Sequence, residues 1–186
     1  ALELNSEVLP RVLVNRTYYA SVVKKTHGPA ERNFLVDCLQ TANWLTRSLD
    51  QRAQTILTVA AEIVRQQDAF LLHGIAHLKP MTLKMVAEPI DMHESTVSRV
   101  TANKYLATPR GLFEMKYFFT TALGSTTGDE DHSAAAVRHL IRQMIDAEEP
   151  NAILSDDTIA ERLKKDQGID VARRTVAKYR EGMNIP

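Results

Sequence analysis

A single cysteine, Cys38, stands in this chain of 186 residues. One thiol can close no disulfide within the chain and build no cysteine zinc cage, so a disulfide-stapled scaffold is excluded and a reducing, cytoplasmic setting fits. No apolar run approaches the roughly 20 residues that span a bilayer, and the N-terminus lacks the basic-then-apolar plan of a secretory leader. No membrane partner is expected. No glycine-rich loop is placed to cradle a phosphate, so nucleotide hydrolysis is not expected. Net charge is also missing: 23 Lys and Arg balance 23 Asp and Glu. Any attraction for a polyanion must therefore come from local charge. No internal repeat of fixed period is visible. The six histidines are scattered at positions 27, 73, 77, 93, 132 and 139. His73 and His77 have a metal-compatible spacing on an expected helix, but no third ligand is near them in sequence. No catalytic residue, metal or cofactor is assigned, and the chain does not read as an enzyme.

What is present is helical texture, with 44% hydrophobic and 25% charged residues. Residues 1–28 look irregular. Leu9 to Tyr19 is β-branched and aromatic, which predicts a short strand or extended segment, and His27-Gly28-Pro29 reads as a turn. From Ala30 to about Ser48, Phe34, Cys38 and Leu45 recur at helical spacing beside Leu35, Leu39 and Ala42. Ile56, Val59, Ala60, Ile63 and Val64 mark a second helical stretch continuing towards His77. Two long helices joined by a polar turn predict a helical hairpin, with Cys38 and Trp44 in its core. Lys79-Pro80 marks a boundary. Thr82 is a candidate N-cap for a short helix ending before Pro89, and another helix begins near His93 to Ser95. Thr108-Pro109-Arg110-Gly111 interrupts. Leu112 to Leu123 is predicted helical, its Tyr117-Phe118-Phe119 run in the core. Gly124 to His132 is small, polar and acidic, a flexible linker. Helices follow over about Ser133–Ala147, Ser155–Lys165 and Val171–Asn184. The expectation is an all-α chain: a helical region over 1–77, a helix-turn-helix domain over 78–123, a linker over 124–132, and a second helix-turn-helix-type domain over 133–186.

Two helices crossing near a right angle need a small residue at closest approach, a tight turn and shared apolar positions. Val86 to Val100 fits. Ala87 is the small residue, Ile90 and Met92 flank the turn, and Val97 and Val100 are predicted to be buried. Asp91 stands where glycine would suit, but Asp tolerates the left-handed conformation better than most residues. Glu94, Ser95, Thr96, Ser98 and Arg99 would point outward. Arg99 can chelate guanine and Glu94 can accept from cytosine N4. A solvated polar face on an ordinary helix fits the same pattern.

In Ala172-Arg173-Arg174-Thr175-Val176-Ala177-Lys178-Tyr179-Arg180, a step of about 100° per residue puts Ala172, Val176, Tyr179 and Met183 on a core stripe. Arg174, Ala177, Lys178 and Glu181 lie opposite, flanked by Arg173 and Arg180. From Val171 to Asn184, four cations face one carboxylate, a net of plus three. Ala177 would let the backbone approach a groove floor, and Arg173 and Arg174 on the first turn would reach base edges. Ile159, Ala160 and Leu163 supply the partner helix, and Lys164 to Asp170 a stretched turn. A basic amphipathic surface helix is the plainer alternative.

ARRTVAKYR resembles the box that marks bacterial sigma-54 transcription factors. Its flanks, Gly168-Ile169 and Asn184-Ile185-Pro186, are similar too, as are LPRVLVN near the start, MHESTVSRVTANKY (Met92 to Tyr105) and TPRGLFEMKYFF (Thr108 to Phe119). The resemblance implies a promoter-specificity factor that binds double-stranded promoter DNA and core RNA polymerase, in the bacterial cytoplasm with the nucleoid. Carried over by position, it implies upstream GG-element contacts from Arg173, Arg174, Thr175, Ala177, Lys178 and Arg180. It implies downstream GC-element contacts from Glu94, Ser95, Thr96, Ser98 and Arg99, and a partial core-polymerase-binding domain over residues 1–77. The family's N-terminal activator-responsive region has no counterpart here, so the chain reads as a fragment, and an ATP-driven activator would act only through that region. The competing expectation is a stand-alone repressor that uses residues 1–77 to dimerise.

Overall fold

The computed structural model describes all residues except 6, 8, 121, 124–131, 149–152 and 186. The predicted linker therefore lies, but for His132, outside the described residues. Backbone contacts group the chain into two compact units, Ala1–Thr58 and Val59–Pro186.

In the first unit, α1 (Arg16–Lys25) opens on Asn15, whose side chain accepts the Tyr18 N–H at 2.8 Å. That cap, with Lys24 and Lys25 on the last turn, favours a helix over the extended segment predicted there. The second helix, α2 (Pro29–Gln66), runs unbroken for 38 residues and crosses the unit boundary. It replaces the predicted helical hairpin. Residues 48–55 are mostly polar but contain neither glycine nor proline, so nothing in them stops a helix. A returning helix would have covered the Phe34–Cys38–Leu45 stripe; the unbroken one leaves it open. Cys38 is exposed, and Phe34 and Trp44 are each 67% exposed, so neither Cys38 nor Trp44 is the core residue predicted.

In the second unit, the end of α2 buries Val59, Ala60 and Ile63. Gln67, itself buried, separates α2 from α3 (Asp68–His73). Its amide donates to the Lys79 carbonyl at 2.8 Å and accepts the Lys79 N–H at 3.1 Å, so both halves of the side chain are satisfied on one backbone unit. His73 ends α3 and His77 lies in the following 3-10 turn, not in one continuous helix. Then come α4 (Leu83–Ala87) and a 3-10 turn over Glu88–Ile90 holding Pro89, followed by α5 (Glu94–Thr101).

Strands β1 (Tyr105–Thr108) and β2 (Gly111–Glu114) form an antiparallel hairpin that pairs Leu106 with Phe113. A 3-10 turn, Met115–Phe118, and a short antiparallel pair, β3 (Ala122–Leu123) with β4 (His132–Ser133), follow. The fold is mostly helical but not all-α, and the helix predicted over Leu112 to Leu123 is absent. Gly111 adopts φ +126°, which side-chain-bearing residues avoid, and so lets the chain reverse. Phe113 then turns inward, its ring 5.2 Å from Phe70 in an edge-to-face contact. Of the aromatic run only Phe118 is fully buried; Tyr117 and Phe119 are half-buried.

The remaining helices are α6 (Ala134–Asp146), α7 (Asp156–Gln167) and α8 (Arg173–Gly182). Val137, Ile141, Ile159, Leu163, Ile169, Val171 and Val176 form their common core. Each such aliphatic side chain contributes roughly 1.5–3 kcal/mol when buried. Ser133 and Ser155 cap α6 and α7, as the sequence suggests for Ser155.

Candidate nucleic-acid interface

The first helix pair, α4 and α5, begins with Thr82, whose hydroxyl accepts the Met85 N–H at 3.3 Å. Val86, Ala87 and Val97 are buried where the pair meets. At Asp91 the backbone is left-handed, φ 51° and ψ 48°. Met92 N–H reaches back to Ala87 carbonyl at 3.0 Å and Asp91 N–H to Glu88 carbonyl at 3.2 Å, the double closure of a Schellman turn. The glycine-like geometry that the motif needs is thus made by an aspartate. His93 caps α5: its Nδ1 accepts the Ser95 N–H at 3.1 Å and lies 2.8 Å from the Ser95 hydroxyl. The predicted contact residues divide unevenly. Glu94 and Arg99 are exposed, whereas Ser95, Thr96 and Ser98 are half-buried. Val100 is also half-buried, not fully buried as predicted.

The second pair, α7 and α8, is joined by residues 168–172. Gly168 is left-handed at φ 69°, and Ile169 and Val171 point into the core. The turn is long because it contributes core side chains of its own. Helix α8 starts at Arg173, and Ala172 is its exposed N-cap. Ala172 therefore lies outside the core stripe in which the periodicity put it, because the helix begins one residue after it. Val176 is fully buried and Tyr179 and Met183 pack against the core, as predicted. The last turn closes through Asn184 at φ 56°, with Ile185 N–H on Arg180 carbonyl and Asn184 N–H on Glu181 carbonyl, both at 3.0 Å, again a Schellman turn.

Arg173, Arg174 and Lys178 are exposed, and Thr175 and Ala177 are half-buried. Among the described residues Arg174, Lys178 and Arg99 form no salt bridge. Arg173 Nη1 lies 3.4 Å from Asp157 Oδ2, with both side chains mostly in solvent, so the pair is screened and weak. Arg180 is different: its Nη1 donates to Asp156 Oδ1 at 2.8 Å, and the two side chains are only 18% and 22% exposed. Sequence reading missed both aspartates, since acidic residues after an N-cap serine read simply as partners of the helix dipole. It also missed the His93 cap, because histidine is an uncommon cap.

The model of the family "Sigma-54, DNA binding domain" matches residues 32–186, and the chain belongs to that family. Among similar proteins, the RNA polymerase sigma-54 factor of Azorhizobium caulinodans is 64% identical over 185 residues, covering 100% of this chain and 36% of that protein. RNA polymerase sigma-54 factor 2 of Bradyrhizobium diazoefficiens is 65% identical over 185 residues, covering 100% of this chain and 34% of its own length. The chain thus spans about a third of the relatives it matches. A crystal structure of Aquifex aeolicus sigmaN bound to promoter DNA matches 98% of this chain and 54% of that one, at 31% identity and a TM-score of 0.63. No described helix is long and apolar enough to cross a membrane.

Proposed function

We propose that this chain is the promoter-reading part of a sigma-54-type transcription initiation factor, with α8 reading the upstream GG element and α5 working at the downstream GC element. The observation that carries the proposal is the first turn of α8. Arg173 and Arg174 stand exposed there, while Val176 beneath them is fully buried, so a rigid core holds two guanine-chelating side chains at a helix N-terminus. Ala172 supplies no side-chain cap; the Thr175 N–H is taken by the Ala172 carbonyl at 2.8 Å, and the N–H groups of Arg173 and Arg174 are the ones left to a phosphate. Thr175, Ala177 and Lys178 complete the upstream set, and Glu94, Ser95, Thr96, Ser98 and Arg99 the downstream set. The family match and the sigmaN neighbour bound to promoter DNA support the reading. A stand-alone repressor draws no support from them.

In the same reading, residues 1–77 belong to a core-polymerase-binding domain, and residues 78–123 and 133–186 are two helix-turn-helix-type DNA-binding domains. The factor has no catalysis of its own and works in the bacterial cytoplasm at the nucleoid. An ATP-driven activator acts through a part of the protein outside these residues.

The test is binding of Arg174→Ala to a duplex carrying the upstream element and to scrambled duplex. We expect a loss of about 1–3 kcal/mol on the element and relaxed preference at one base pair. Equal losses on both duplexes would reduce Arg174 to a phosphate contact. A chain truncated before Val171 that kept its full promoter preference would end the proposal.

A further inference from the structure

We propose that Arg180 and Asp156 form a positioning pair that fixes the roll of α8 about its own axis, so that Arg180 orients the reading face instead of contacting DNA. The inference rests on the reading of α8 as a DNA-recognition helix. It starts from a difference among four cations on one short helix. Arg173, Arg174 and Lys178 are exposed, whereas Arg180 is held 2.8 Å from Asp156, with each side chain about four-fifths covered.

Helical periodicity gives that contact its mechanical meaning. Arg173 and Arg180 are seven residues apart, so they share one line along α8. Both reach the first turn of α7, Arg173 to Asp157 at 3.4 Å and Arg180 to Asp156 at 2.8 Å. The start of α7 is therefore straddled by two arginines two turns apart. Rotating from that line, Arg174 and Lys178 lie about 100–140° to one side, and Val176, Tyr179 and Met183 about 60–120° to the other. The apolar stripe packs α8 against a dense core, and a polar contact adds a directional restraint on its roll that non-directional dispersion does not supply. A charge-assisted hydrogen bond between half-buried groups is short and directional. It sits at the last turn, the far end from the covalent Gly168–Ala172 connection, where a lock on rotation has most leverage. The Asp157–Arg173 pair adds little to that lock. It is exposed and longer, and its arginine is released when a base or phosphate competes.

The test compares the whole chain with Arg180→Ala, Asp156→Asn, the double variant, and the exchange Arg180→Asp with Asp156→Arg. Each is titrated with upstream-element and scrambled duplex over a salt series, and thermal unfolding is followed in parallel. Asp156→Asn keeps the shape of the side chain and its acceptor oxygen, so it carries the test if Arg180→Ala unfolds. Each single variant is expected to lower the preference for the element by about tenfold and leave the salt slope unchanged. The double variant should be no worse than the worse single one, as for two members of one unit, and the exchange should restore part of the preference. Three results would overturn the pair: a salt slope lowered by about one in Arg180→Ala, the signature of a lost phosphate contact; tighter binding of both duplexes by Asp156→Asn; or an unchanged preference for the element in the double variant, where the contact is gone. If the unaltered chain itself shows no preference for the element, the DNA reading fails first, and separately.

Discussion

The α4–α5 and α7–α8 pairs face one geometric demand, two short helices packed across a turn, and meet it with opposite economies. The first closes its turn through one left-handed aspartate and caps its second helix with His93. The second spends five residues, 168–172, sends Ile169 and Val171 into the core, and leaves α8 without a side-chain cap. The outward faces differ in the same sense. The α5 face is short, partly buried and near neutral, with Glu94 and Arg99 as its exposed charges. The α8 face carries Arg173, Arg174 and Lys178 in solvent. A capped, self-satisfied helix suits a role in which fit decides. An uncapped basic helix suits one in which phosphate attraction supplies affinity.

The comparison breaks most easily at Ile169. If the α7–α8 turn is a core element and not a mere connector, Ile169→Ala should cost about 2–5 kcal/mol of stability, as for a fully buried isoleucine. Chemical denaturation would read that loss. A cost below about 1 kcal/mol would make the stretched turn an ordinary loop.

Charge comes next. Lys178→Ala should weaken binding to cognate and scrambled duplex by the same factor and lower the logarithmic salt slope by about 1. Arg99→Ala should weaken the downstream element selectively. If both variants shift the salt slope equally, the two faces do not divide affinity from fit.

The pattern that made α8 legible in the sequence was charge laid over a period of 3.6. Val176, Tyr179 and Met183 fell on one line and Arg174 and Lys178 on the opposite one, and the burial follows that line. Ala172 broke it, because periodicity fixes a helix's faces but not its first residue. The hairpin over Tyr105–Glu114 was misread for a related reason. Leu112, Phe113 and Met115 are as apolar as a helix face, and only the fold shows Phe113 turned towards Phe70. The unbroken α2 was misread because polar residues on an exposed helix look like a turn. At the candidate interface, the exposed arginines could be read locally. The Arg180–Asp156 contact could not, since it joins side chains 24 positions apart.

A smaller effect tests the caps. His93→Ala should cost about 1 kcal/mol by removing the acceptor for the Ser95 N–H, while Ala172→Ser should stabilise α8 by a similar amount and compete with phosphate at its N-terminus. Asp91→Gly should stabilise the first pair by about 1 kcal/mol, because glycine adopts the left-handed turn without a side-chain penalty. A destabilised Asp91→Gly would show that the aspartate side chain does more than tolerate the turn.

The smallest expected effect separates the two pairs by pH. The Arg65 guanidinium, hydrogen-bonded to Glu62 at 2.6 and 2.8 Å, holds the Glu62 carboxyl below its ordinary value of 4.5, with a further hydrogen bond from Gln66 acting the same way against the opposing cost of burial. A depressed carboxyl contributes stability that is present above its unfolded value and lost as pH falls through the folded one. Gln66 also donates to the Met85 carbonyl at 2.9 Å, so protonating Glu62 loosens the link between α2 and α4. Acidification below about pH 4.5 should therefore weaken amide protection in α4 and α5 more in the unaltered chain than in Glu62→Gln. Hydrogen exchange at pH 5 and pH 3.5 would measure the difference. Equal pH sensitivity in both proteins would place the acid-labile contact elsewhere in the unit and leave the two helix pairs alike in their response to acid.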